Sequence, residues 1–269
     1  MFYEALALAI ASSYIFAIYA FQPVRLKYKS RDDLEVMQFR FYRVGMLSFI
    51  LLALVPYLVQ GEFVENIKFM GLIPGFTSNM NLQEDIKGIG YSAMFIVILF
   101  SSSIFQMLET DGIDEDDENV NERDGNQNER SFWYRDLVFA PITEELIYRG
   151  LVLLVVRKEI PNFLKFTPFL FGIAHVHHGW QLYCKRVALS QILISISFQF
   201  AYTSLFGYLS NWIYLKTQNL WAPIIVHSGC NYFGFPSFSI SSDLLASRVV
   251  YFFLIFLGAG FALREYCAS

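Results

Sequence analysis

Long apolar runs separated by short polar stretches dominate this chain. The windows Phe2–Phe21, Val44–Val59, Ile89–Leu108, Trp133–Val156, Val187–Leu209 and Arg248–Leu263 approach or reach the about 20 mostly apolar residues that a membrane-spanning helix needs. Two shorter windows, Phe163–His178 and Leu220–Phe235, carry polar groups. They count as spans because backbone at membrane depth is helical unless it lines a cavity. The pattern predicts an all-α, polytopic integral membrane protein with about eight transmembrane helices. The first window has no basic flank, since Met1-Phe2-Tyr3-Glu4 precedes it, and it is too long for a signal peptide. It reads as a retained anchor.

Composition agrees with the pattern. Hydrophobic residues make up 55% of the 269 positions and charged residues 16%, a balance outside that of soluble domains. The lipid bilayer is therefore the expected surrounding. Charge is uneven along the chain. Ten of the 24 acidic residues fall between Glu109 and Arg130, against two basic ones, so this stretch carries a net −8 and the remainder +4. Rich in Asp, Glu and Asn, it reads as a disordered linker, residues 109–131. It divides N-terminal helices, residues 1–108, from a second group, residues 132–269. The connector from Gln22 to Arg43 holds Arg25, Lys27, Lys29, Arg31, Arg40 and Arg43. By the positive-inside rule it faces the cytosol. Alternation then puts the acidic linker and Lys185-Arg186 on the same side, whereas Arg157 and Lys158 oppose that topology.

Several function classes drop out. Cys184, Cys230 and Cys267 show no paired spacing of a disulfide framework or zinc ribbon. There is no Gly-rich phosphate loop and no basic-aromatic patch, so no nucleic acid is expected as a partner. What remains is a set of polar groups within apolar runs, where ionisable residues are costly and mark sites.

Three stretches hold them. In Thr143-Glu144-Glu145-Leu146-Ile147-Tyr148-Arg149, residues four apart share a helical face, so Glu145 and Arg149 are expected to pair in a structural role. Glu144 is turned about 100° away and is free for proton transfer. In Phe171-Gly172-Ile173-Ala174-His175-Val176-His177-His178, His175 and His178 share a face and His177 points elsewhere. A metal held by these histidines and Glu144 is conceivable chemistry, but the His-Glu-x-x-His signature is absent. No metal and no cofactor is expected. His227 and Asn231 are four apart and face one cavity. Asn donates or accepts hydrogen bonds but moves no proton, so the pair suits an oxyanion site. The bland alternative for it is a polar bridge between helices.

Glu144-Glu145-x-x-x-Arg149, then Phe171-x-x-x-His175, then His227-x-x-x-Asn231, in that order on separate helices, resemble the three motifs of the type II CAAX prenyl endopeptidases. This family belongs to the wider abortive-infection (CPBP) superfamily of membrane proteases, and the resemblance covers about residues 132–235. It implies a multi-pass protein of the endoplasmic reticulum membrane with a polar catalytic cavity. Its substrates would be prenylated CAAX proteins, farnesylated or geranylgeranylated, which lose their last three residues. Carried onto this sequence, Glu144 and His175 would activate the attacking water, and His227 and Asn231 would stabilise the oxyanion. Glu145, Arg149 and His178 would support them. Two rivals are a membrane carrier with a Glu/His proton relay and a non-catalytic scaffold of the same superfamily.

Overall fold

The computed structural model describes residues 1–27, 29–110, 125–234 and 245–267. Every element among them is helical. The first half holds α1 (Phe2–Tyr19), the single turn α2 (Val24–Lys27), α3 (Leu34–Leu58), α4 (Phe63–Met70), α5 (Leu82–Leu99) and α6 (Ser101–Thr110). The second half opens with α7 (Gly125–Tyr134), α8 (Ala140–Glu145) and α9 (Leu153–Glu159). Two π-helical segments, Arg135–Phe139 and Leu146–Val152, join these three into one continuous helical run. There follow α10 (Thr167–His175), α11 (His178–Cys184), α12 (Leu189–Thr217), α13 (Trp221–Phe233) and α14 (Leu245–Cys267). Of the acidic linker, residues 111–124 lie outside the described residues, and its two flanks belong to α6 and α7.

Helix starts follow local chemistry. Asp33 caps α3 by accepting the backbone N–H of Glu35, and Asn81 caps α5 by accepting those of Gln83 and Glu84. α4 stops at Gly71, whose φ of 66° suits glycine. A Cβ there would collide with the Gln218 carbonyl, and the Gly71 carbonyl accepts the N–H of Leu220. This close approach docks α4 on the turn between α12 and α13.

The outer faces are apolar. Leu205 on α12 is 68% exposed and Phe256 on α14 is 73% exposed, as suits side chains that meet lipid. Four helices are long and apolar enough to cross a membrane: Phe2–Tyr19, Leu34–Leu58, Leu189–Thr217 and Ala246–Glu265. A fifth span is formed if the pair Leu82–Leu99 and Ser101–Glu109, bent by 62°, is taken as one. The protein is an all-α polytopic membrane protein. Each of the eight expected windows is largely helical among the described residues, yet by length and hydropathy only these qualify as spans. The reason is physical. The run through α7, α8 and α9 carries Arg135, Asp136, Glu144, Glu145 and Arg149, while α10 and α13 have 9 and 13 residues. At 1.5 Å per residue α13 covers about 20 Å, less than the about 30 Å of a hydrocarbon core.

The two ends of the bundle are held by different contacts. At one end Arg135 donates to Asp32 at 2.7 Å and Gln181 donates to the Tyr19 hydroxyl at 2.9 Å. At the other, Lys158 donates to Asn66 and the Gln60 N–H to Glu159, both at 2.6 Å. Arg40 and Arg43, read from sequence as part of a connector, lie inside α3. Between the ends, α10 packs on α12 through small residues: Gly172 faces Ser204 and Phe200, and Gly207 faces Pro168.

Candidate active site

α8 is a short α-helical insert between two π-helical segments, an irregularity often found at functional sites. It turns its two carboxylates to opposite surroundings. Glu145 is fully buried. Its Oε1 accepts from Arg149 Nη1 at 3.1 Å and faces His227 Nδ1 at 2.8 Å, and its Oε2 accepts from Ser210 at 2.7 Å. Arg149, also buried, donates further to Asn211 Oδ1 and to the Gly207 carbonyl, and it stacks over Phe171 at 4.7 Å. A buried ion pair recovers its desolvation cost only when its remaining polar atoms are also satisfied, as they are here. Five residues of α12 and α13 are thereby fixed against α8 and the π-helical segment that follows it: Gly207, Ser210, Asn211, His227 and, through its ring over Arg149, Phe206.

Glu144 faces the other way, into a cavity of about 360 Å³. Tyr14 of α1 donates to its Oε1 at 3.1 Å, and His227 Nε2 lies 3.9 Å from its Oε2. Tyr14, Glu144, His175, His178, His227 and Asn231 all line this cavity. Glu145 and Arg149 stand behind its wall. The two short helices serve it with their C-terminal ends: His175 is the last residue of α10, and Asn231 falls in the last turn of α13.

Hydrogen bonding orients the rings. His175 Nδ1 lies 2.8 Å from the Phe171 carbonyl, which can only accept. The hydrogen therefore sits on Nδ1, and Nε2 keeps a lone pair for a proton. Glu145 performs the same service for Nδ1 of His227. Asn231 donates from Nδ2 to the Asp136 carbonyl at 2.8 Å, a bridge between α13 and the π-helical segment that holds its amide at the cavity wall.

His177 departs from expectation. It lines the cavity with the other two histidines, its ring 4.1 Å from that of His178 and 5.3 Å from that of Tyr19. On one continuous helix His177 would point away from His175 and His178, but α10 ends at His175 and α11 starts at His178. Rotation across this break brings His177 inward. Among the described residues no group of three His, Cys, Asp or Glu side chains is arranged to hold a metal ion.

Residues 126–233 match the family model described as Type II CAAX prenyl endopeptidase Rce1-like. The chain carries an Rce1-like domain. A curated relative from Saccharomyces cerevisiae named CAAX prenyl protease 2 is 29% identical over 252 residues, 85% of this chain and 78% of that protein. Relatives of the same name from Homo sapiens and Caenorhabditis elegans are 38% and 35% identical over 108 and 106 residues. Those two matches span 33% and 40% of the relatives' own lengths. No solved structure matches the chain. The Rce1-like domain contains Glu144, Glu145, Arg149, His175, His178, His227 and Asn231. It does not contain Tyr14, Met37, Arg40 or Val44, which close the cavity from α1 and α3. Sequence reasoning missed these four, and it missed Ser210 and Asn211 inside the domain. A hydroxyl or amide set on a helix with apolar neighbours was the available signal for Ser210 and Asn211.

Proposed function

We propose that the protein is an intramembrane endopeptidase that removes the C-terminal tripeptide from prenylated CAAX proteins in the endoplasmic reticulum membrane. The observation that carries this reading is the convergence of Glu144, His175, His227 and Asn231, from three separate helices, on one cavity. The names of the relatives support the substrate class.

In this mechanism a water molecule between Glu144 and His175 attacks the scissile carbonyl carbon. Its proton passes to Glu144 or to His175 Nε2, a new C–O bond forms, and the carbonyl oxygen becomes an oxyanion. Asn231 Nδ2, which keeps a second hydrogen beyond its bond to Asp136, donates to that oxyanion, and His227, whose Nδ1–H is held by Glu145, donates from Nε2 as the imidazolium. Collapse breaks the C–N bond, and the held proton goes to the departing amine of the tripeptide. Glu145 and Arg149 position His227 through the bond to its Nδ1. A cavity bounded by membrane helices suits a prenyl chain entering from lipid and a peptide tail entering from water.

The test is release of tripeptide from a farnesylated CAAX peptide by purified full-length protein, with and without chelator. Specific release that depends on Glu144 supports the proposal. Absence of release under conditions where the protein remains folded overturns it.

A further inference from the structure

The cavity also contains cationic groups in its lining. Arg31, Arg40 and Arg135 all line it, and their situations differ. Arg135 is fully engaged: Nε and Nη2 donate to Asp136 at 2.7 and 2.9 Å, and Nη1 donates to Asp32 at 2.7 Å. Arg31 makes one stretched contact to Asp32 at 3.5 Å. Arg40 of α3 has no ion pair among the described residues, and its Nε is buried without a hydrogen-bond partner. Its guanidinium lies over the Tyr19 ring at 5.5 Å, and Tyr19 meets His177 edge-on.

A partly buried guanidinium with an unpaired donor is costly, and chains keep one where an anion arrives from outside. The anion that a cleaved peptide brings is its own terminal α-carboxylate. With Nε closed off, its two coplanar oxygens fit the outer fork of Nη1 and Nη2, with two parallel N–H···O bonds. We propose that Arg40 receives the terminal α-carboxylate of the peptide substrate, with Arg31 adding positive potential at the mouth. This deepens the protease reading and rests on it. An extended tripeptide spans about 10 Å, so an anchor at its end decides which peptide bond lies at Glu144. Arg40 thereby sets where the chain is cut. Both arginines lie outside residues 126–233, the stretch that the family model matches.

The experiment measures binding and cleavage separately on the full-length protein. A farnesylated tetrapeptide with a free C-terminal carboxylate is compared with the same peptide as its C-terminal amide. Binding is read on Glu144→Gln, which keeps the ligand intact. The acid is expected to bind roughly ten- to a hundredfold more tightly than the amide. Adding Arg40→Ala should bring that ratio close to one. Arg40→Lys, which restores charge without the fork, should recover part of the ratio. Equal binding of acid and amide to the Arg40-containing protein overturns the carboxylate site, as does an acid preference that survives Arg40→Ala. Tripeptide release by the unaltered protein is scored independently. Acid preference without release sinks the protease reading and leaves the carboxylate site standing, and release without acid preference does the reverse.

Discussion

Tyr14 and Glu144 stand 130 positions apart in the sequence and share one hydrogen bond of 3.1 Å at the cavity wall. The donor comes from the first helix of the chain and the acceptor from the Rce1-like domain. Glu144 thus has its carboxylate aimed by a residue outside that domain.

Removing the hydroxyl tests this aim. Tyr14→Phe keeps the ring packed against α1 and its neighbours while leaving Glu144 Oε1 without its donor. A hydrogen bond to an ionised acceptor is worth about 1.5–3 kcal/mol, so turnover should fall roughly tenfold or more while the protein still folds and inserts. Unchanged turnover on a farnesylated peptide would show that Glu144 needs no such guide.

The proton-transfer pair has a larger stake. Glu144→Gln preserves the size of the side chain, and its amide can still accept from Tyr14, but the base is gone. His175→Ala removes the free Nε2. Each should lower tripeptide release by at least about a hundredfold. Near-normal tripeptide release by either variant would remove that residue from the proton-transfer role.

Glu145 and Arg149 are expected to matter for stability first. Loss of either partner leaves the other charge buried, at a cost of about 3–5 kcal/mol. In a double-mutant cycle of Glu145→Ala and Arg149→Ala, read by thermal unfolding in detergent, the double variant should lose much less than the two single losses combined. Additive losses would mean that the pair contributes no coupling. Glu145→Ala should also impair turnover beyond its effect on folding, because it frees the His227 ring.

His227→Ala and Asn231→Ala address the oxyanion. Removing one such donor typically lowers turnover by about 10² to 10³, with little change in affinity for bound substrate. A proton carrier should tolerate Asn231→Ala, since an amide relays no proton. Should affinity collapse while kcat is preserved, both residues would be substrate-positioning groups.

The sequence made legible those cavity residues whose chemistry clashes with its surroundings. Glu144, His175, His227 and Asn231 interrupt apolar runs, and each lies at the cavity. The i, i+4 spacing also separated the two glutamates correctly, with Glu145 on Arg149 and Glu144 turned away. Tyr14 gave no such sign, because a tyrosine among aromatics in α1 is ordinary, and its partner is fixed only by tertiary packing. Arg40 was hidden differently. It looked like one of six basic residues of a cytosolic connector, until α3 proved to begin at Leu34 and to carry it to the cavity. The inward turn of His177 depends on a helix break that no local residue announces, since neither Gly nor Pro separates His175 from His178. Length and hydropathy also leave α10 and α13, with 9 and 13 residues, short of a full span. Hydropathy registers apolar windows, whereas α10 and α13 are short and present their C-terminal ends to the cavity.

The origin of the far wall also orders events during synthesis. Tyr14 and Arg40 leave the ribosome well before Glu144, which at about 5–20 residues per second amounts to a delay on the order of ten seconds. In that interval the bilayer holds half a receptacle, with a hydroxyl and a guanidinium awaiting partners. The nascent chain therefore carries no competent protease until the later helices dock against the earlier ones. On the proposed reading, cleavage needs the completed bundle, because Glu144, His175, His227 and Asn231 all lie on helices that follow α1 and α3.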